Sequence, residues 1–159
     1  MKQPKRSRSP LPIPEKTNVR RGSAEEDGVV LLLWRVEIPF FDAAFGKTGA
    51  ASFYEKIKRK CEEYLTGRLA DLLRAEYLAS DPARRRFRFR CAIYAQTVKI
   101  KPEGDAFAIE RTVVLKRAGR VLFSRVYVER WDARDGKPLS AQSDGEKRRK
   151  TREKKREKG

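Results

Sequence analysis

Between Ser52 and Ala79 the apolar residues recur at three- and four-residue steps. Phe53, Ile57, Cys61, Tyr64, Leu65, Leu69, Leu72, Leu73 and Tyr77 draw one stripe, with Lys56, Lys60, Glu63 and Arg74 outside it. That is the helical period, so the spacing predicts one long helix over 51–79. Ser52 is the expected N-cap, and Glu55 three residues on completes a capping box. Gly67 marks a possible kink, and Ser80-Asp81-Pro82 ends the run. A helix with a single apolar face needs a second layer to bury it.

The flanking residues can supply that layer. Residues 29–41, VVLLLWRVEIPFF, place Val30, Leu32, Trp34, Val36, Ile38 and Phe40 on one face and Arg35 and Glu37 on the other. Period two with β-branched and aromatic residues predicts a strand, and Pro39 marks an edge or an end. Residues 86–101 alternate through Phe87, Phe89, Cys91, Ile93 and Ala95, then shift phase to Val98 and Ile100. That shift predicts a bulge near Gln96–Thr97. Pro102-Glu103-Gly104-Asp105 predicts a turn. Residues 106–116 alternate with Phe107, Ile109, Val113 and Leu115 on one side. Ala118-Gly119 can close a hairpin onto 120–131. The expected order is β-α-β-β-β, an α+β two-layer domain with one helix on an antiparallel sheet.

Composition narrows the chemistry. The 159 residues include 39 Lys and Arg against 22 Asp and Glu, a formal net charge of +17, and no histidine. Histidine-based acid–base catalysis and histidine metal ligation are therefore excluded. Cys61 and Cys91, the only two cysteines, cannot form a four-cysteine zinc site and read as small buried hydrophobes. Neither a cofactor nor a metal is expected, and no enzymatic activity.

The tails are dense in charge, but residues 29–140 are basic as well, with 23 basic and 14 acidic groups. Residues 1–28 carry seven basic and four acidic groups among prolines and serines. Such a stretch has too little apolar surface to offset the entropy of ordering, so it reads as a disordered basic tail. Residues 141–159 carry nine basic and four acidic groups and read as a second one. The expected domain is 29–140. Residues 29–34, VVLLLW, are too few to span a bilayer. A cytoplasmic location is expected, or export if the true start lies upstream.

Two basic segments are candidate polyanion-binding elements. Arg84, Arg85, Arg86, Arg88 and Arg90 crowd seven positions, the last three projecting from one expected strand face with Phe87 and Phe89 facing away into the core. Guanidinium groups pair bidentately with phosphate, so nonspecific nucleic acid is a possible partner. The plainer reading is a solvated face on a basic protein. Lys147, Arg148, Arg149 and Lys150 open the tail run, which is either a polyanion-binding arm or a solubilising tail. Glu129, Asp132 and Asp135 cluster near the last turn, where Asp135-Gly136 reads as turn chemistry. Gly46-Lys47-Thr48 lacks the upstream glycine of a phosphate loop, Phe41 standing in its place. Trp34 and Trp131 read as core or rim residues.

Several local details resemble a domain-of-unknown-function family found in lysozyme-sensing anti-sigma factors and beside peptidoglycan deacetylases. The matching pieces are Ile38-Pro39-Phe40, the helix from Phe53 to Tyr77, and the closing turn Asp132-Ala133-Arg134-Asp135-Gly136-Lys137-Pro138-Leu139. The resemblance covers residues 29–140 at the level of pattern. Family members often carry a Gly-Gly-Ala-His stretch and further helices, which this chain lacks. It implies a fold and a bacterial source more than an activity. The leading expectation is a non-enzymatic domain that binds an unknown protein partner through a sheet face or edge. The alternatives are a nucleic-acid-associated protein and a cell-envelope sensor-type domain.

Overall fold

A strand stands where the N-terminal tail was expected to lack structure. The computed structural model describes residues 13–42 and 48–139. Their elements in chain order are β1 (Thr17–Glu26), β2 (Val29–Pro39), α1 (Gly49–Glu63), a π-helical segment (Tyr64–Leu69), α2 (Ala70–Ala79), a helical turn α3 (Arg85–Arg88), β3 (Ala92–Glu103), β4 (Ala106–Arg117) and β5 (Arg120–Asp132). The five strands form one sheet in the order β1-β2-β3-β4-β5. Neighbours run antiparallel except β2 and β3, which are parallel because the helix carries the chain across between them. The fold is therefore α+β with a mostly antiparallel sheet and one long helix, and the expected β-α-β-β-β order lacks its leading strand. The Lys147–Lys150 tail and the Gly46-Lys47-Thr48 motif fall wholly or partly outside the described residues.

β1 escapes composition arguments because it is an edge strand with polar side chains. Its backbone pairs with β2 from Thr17↔Pro39 to Glu26↔Val29, and most of its side chains are exposed. Asp27 and Gly28 close the hairpin at φ 51° and 73°, the two left-handed positions of a type I′ turn. Gly22 has no side chain because the Trp34 ring occupies the space: a Cβ there would lie 2.2 Å from Trp34 Cζ2. A bulge between Ala24 and Glu25 admits Leu31 as an extra residue, so both Leu31 and Leu32 are buried.

The inward sheet face carries Leu32, Val36, Tyr94, Phe107, Ile109, Val113 and Trp131, all buried. The helix covers it with Ala50, Tyr54, Leu65, Leu69, Leu73 and Tyr77. Helix onset differs from expectation. Thr48 is the N-cap, its hydroxyl accepting from the Ala51 N–H at 3.3 Å, and Ser52 and Glu55 lie inside the helix. The reason is tertiary: the Ala50 N–H donates to the Gly136 carbonyl at 3.0 Å, docking the closing turn on the first helical turn. Gly136, at φ 67°, sits against Thr48, where a Cβ would be 2.4 Å from the Thr48 Cβ. Gly67 lies in the π-helical segment, where the sequence suggests a kink.

β3 also starts later than its pattern suggests. Arg85–Arg88 is helical and the strand begins at Ala92. Its register against β4 is unbroken from Ala92↔Arg117 to Glu103↔Ala106, so no bulge forms at Gln96–Thr97. Tyr94, Gln96, Val98 and Ile100 share the inward phase, and Ile93 and Ala95 point outward. The apparent phase change came from carrying the Phe87–Phe89 alternation into a segment that coils before the strand starts.

Tyr77 sits under this coil. It is fully buried, with Phe89 edge-on at 5.6 Å and the Arg85 guanidinium 4.9 Å from its ring centre. Its hydroxyl is buried without a hydrogen-bond partner among the described residues, an arrangement that costs about 1–3 kcal/mol of desolvation. Tyr77→Phe is therefore expected to raise stability by about 1 kcal/mol, read as a higher urea midpoint. A lower midpoint would mean that the hydroxyl is bonded in solution.

Candidate functional site

An ion pair lies at the centre of the inward face. Arg111 on β4 and Glu129 on β5 are 6% and 5% exposed. The Arg111 Nε donates to Glu129 Oε1 at 2.7 Å and its Nη2 to Oε2 at 3.2 Å, a bidentate pair. The Arg111 Nη1 donates to Gln96 Oε1 at 3.2 Å. The Tyr54 hydroxyl donates to Glu129 Oε1 at 2.9 Å and accepts from the Trp131 Nε1 at 2.9 Å. The Gln96 amide donates to the Glu37 carbonyl at 2.8 Å, and the Glu37 carboxylate accepts from the Val98 N–H at 3.2 Å. These bonds bridge β2 and β3 just past Val36↔Gln96, where their ladder ends. Burial, reinforced by the Glu129 charge, holds the Tyr54 phenol far above the ordinary range. It stays a neutral donor.

A cavity of about 460 Å³ opens beside this network. The helix stripe is closed at Ala50 and Tyr54 and again from Leu65 to Tyr77, but Ile57 and Cys61 between them are only half-buried. There Val113, Leu115, Phe123 and Tyr127 face the helix across the cavity, while the Cys61 Sγ still reaches Gln96 Oε1 at 4.0 Å. Phe123 and Tyr64 are part-exposed at the rim, and the Tyr64 and Tyr94 rings lie 6.3 Å apart. Tyr127 stacks under the Arg111 guanidinium at 4.5 Å. Burial pushes the Tyr94 phenol and the Cys61 thiol up, so Cys61 is a protonated lining group rather than an activated nucleophile. Cys91 is likewise pushed up by burial, and both thiols are unpaired.

The arginine segment is built differently from its expected form. Arg85 pairs with Asp27 at 3.2 Å, and the Arg86 Nη2 donates to the Asp27 carbonyl at 3.1 Å. These two brace the β1–β2 turn against α3. The side chains of Arg84, Arg88 and Arg90 are exposed and make no ion pair among the described residues. Phe87, expected in the core, is 86% exposed on the same turn. Because 85–88 is helical, Phe87 and the arginines are not sorted onto opposite faces as in a strand. The segment thus combines exposed guanidinium groups with an exposed aromatic ring.

Glu129, Asp132 and Asp135 do not converge. Glu129 faces inward, whereas Asp132 and Asp135 accept from the N–H groups of Arg134 at 2.7 Å and Lys137 at 3.0 Å within the closing turn. That is Asx-turn chemistry. Among the described residues no three His, Cys, Asp or Glu side chains gather to hold a metal ion, and no helix is long and apolar enough to cross a membrane.

The outward sheet face carries a third feature. Leu33, Ile93 and Val126 are 47%, 49% and 49% exposed. Leu33 pairs directly with Ile93 across β2–β3, and outward Ala95 pairs with Val114 across β3–β4. Glutamates on this face are matched: Arg35 with Glu37 at 2.7 Å and Lys101 with Glu110 at 2.9 Å. Lys101, helped by Lys99, holds the Glu110 carboxyl below its usual range. Arg21, Lys99 and Lys116 make no ion pair among the described residues.

Two of these features had sequence signals that pattern reading passed over. Asp27-Gly28 immediately before the alternating run 29–41 is a hairpin-turn signal. Arg111 and Glu129 interrupt the inward phases of two strands joined by the 118–119 turn with opposite charges. The cavity had no such signal. No family model matches the chain, and no curated protein matches it.

Proposed function

We propose that this domain is a non-catalytic protein-binding module whose docking surface is the outward sheet face. The observation that supports this most is a diagonal apolar band, exposed Leu33 and Ile93 paired across β2–β3, Ala95 paired with half-buried Val114 across β3–β4, and exposed Val126 on β5, on a face that no element of the described chain covers. A solvated antiparallel face ordinarily alternates to polar residues, and a contiguous apolar strip on one marks an interaction site. The cations Arg21 and Lys116, which make no ion pair among the described residues, favour a partner with an apolar strip and an acidic rim. The buried Arg111–Glu129 pair directs its hydrogen bonds to each other and to neighbours, which is structural rather than catalytic use.

The test is a pull-down with the full chain and a Leu33→Lys/Ile93→Lys variant, in parallel with nuclease treatment. A discrete protein retained by the wild type at about 0.15 M salt, resistant to nuclease and lost with the variant, is the expected result. Equal retention by both forms counts against this surface.

A second reading is carried by exposed Phe87 among Arg84, Arg88 and Arg90. Guanidinium groups that track phosphates and a ring that stacks a base are the parts of a single-strand-binding surface. It predicts that affinity for an oligothymidylate falls linearly on a log–log plot against salt. The slope should shrink when the three arginines become glutamine, and Phe87→Ala should weaken binding with the slope kept. An oligothymidylate that fails to bind at low salt removes this reading.

A further inference from the structure

We propose that the helix–sheet cavity is a binding site for an anionic amphiphile: a small aliphatic or aromatic carboxylate whose apolar body lies in the cavity and whose charge sits at Lys60. This site is separate from the outward sheet face and does not depend on it.

The space, about 460 Å³ and half-open to solvent, falls in the range of small-molecule pockets. Ile57, Val113, Leu115 and Phe123 are apolar, and Phe123 is 43% exposed at the rim. Filling the cavity would remove these surfaces from water, which is favourable for an apolar body and unfavourable for a polar one.

Charge selects the head group. The ionisable lining consists of Lys60, Arg111, Cys61 and three tyrosines, with no carboxylate among them. Arg111 is already matched by Glu129, and the Cys61 and Tyr94 protons are held by burial. The uncompensated charge is therefore the exposed Lys60 ammonium, which makes no ion pair among the described residues. A carboxylate there keeps its access to water and avoids the desolvation that a charge deeper in the cavity would meet. A cationic amphiphile would instead meet Lys60 as a like charge.

The helix geometry agrees. The π-helical segment begins at Tyr64, one turn after Cys61 and at the cavity wall. Such segments recur at functional sites because they re-aim side chains that a regular helix would present elsewhere.

The experiment uses the full chain and decanoate, decanol and decylammonium below their aggregation limits, followed by amide and methyl NMR shifts. Decanoate is expected to give saturable shifts centred on Ile57, Val113, Leu115 and Phe123. Lys60→Glu, an exposed change that leaves the core untouched, should weaken decanoate at least about threefold and leave decanol unchanged. Leu115→Trp should block both ligands by filling the cavity, its unchanged spectrum elsewhere reporting the fold. No saturable shift with wild-type protein overturns the site. Decylammonium binding as tightly as decanoate, or decanoate unaffected by Lys60→Glu, overturns the assignment of the head group. Should Leu115→Trp unfold the chain, shifts mapping outside the cavity in the wild type would still refute the proposal.

Discussion

Arg111→Leu is expected to lower the free energy of unfolding by about 3–5 kcal/mol, one of the largest effects available at a single position. The loss does not measure the worth of the pair. Arg111 supplies both contacts of the bidentate bridge to Glu129, at 2.7 and 3.2 Å, and one bond to Gln96. Without it, a carboxylate that is 5% exposed keeps only the Tyr54 hydroxyl as a strong partner. The penalty is that of a buried charge stripped of its counterion. The double variant Arg111→Leu/Glu129→Leu is therefore expected to recover much of the loss, because it removes both charges together and the surrounding wall is largely apolar. Urea denaturation of the wild type, both single variants and the double variant gives the coupling energy directly. Additive losses would show that the two residues do not act as a pair in solution.

Trp131→Ala is expected to cost a similar amount, about 3–5 kcal/mol, for a different reason. Trp131 is almost fully buried and packs against Phe53 at 5.3 Å and Tyr54 at 5.8 Å between ring centres. Truncation leaves a cavity where the helix start, the end of β5 and the closing turn meet, since Trp131 also bridges to Pro138. Trp131→Phe separates packing from hydrogen bonding. It keeps an aromatic ring but removes the indole N–H that donates to Tyr54, and should cost about 1 kcal/mol. If the alanine variant lost no more stability than the phenylalanine one, the packing account of this position would be wrong.

Both residues belong to one assembly. The helix is tied to the sheet at its N-terminal end by Tyr54, Trp131, Glu129 and the Gly136–Ala50 bond, and at its C-terminal end by Leu73 and Tyr77. Between these anchors Ile57, Lys60, Cys61 and Tyr64 line one side of the cavity and Val113, Leu115, Phe123 and Tyr127 the other.

The α+β class, the helix from its apolar stripe, and the 104–105 and 118–119 turns can be read along the chain. Each depends on contacts between residues close in sequence: a 3.6-residue stripe, a two-residue alternation, a glycine able to take positive φ. What local pattern missed depends on partners far away. β1 exists because β2 offers it a ladder, and its polar edge residues carry no apolar signal. Thr48 rather than Ser52 caps the helix because Gly136 docks beside it, and Phe87 leaves the core because 85–88 coils before β3 begins. The arginine cluster was visible in the sequence as a run of charge. Its division into Arg85 and Arg86, which brace Asp27, and Arg84, Arg88 and Arg90, which face water, required that coil and the β1–β2 turn to be brought together. The cavity lies furthest from sequence logic. Its lining comes from one helix and three strands, residues 57 to 127, and no local periodicity encodes which side chains so far apart in sequence come to face one another.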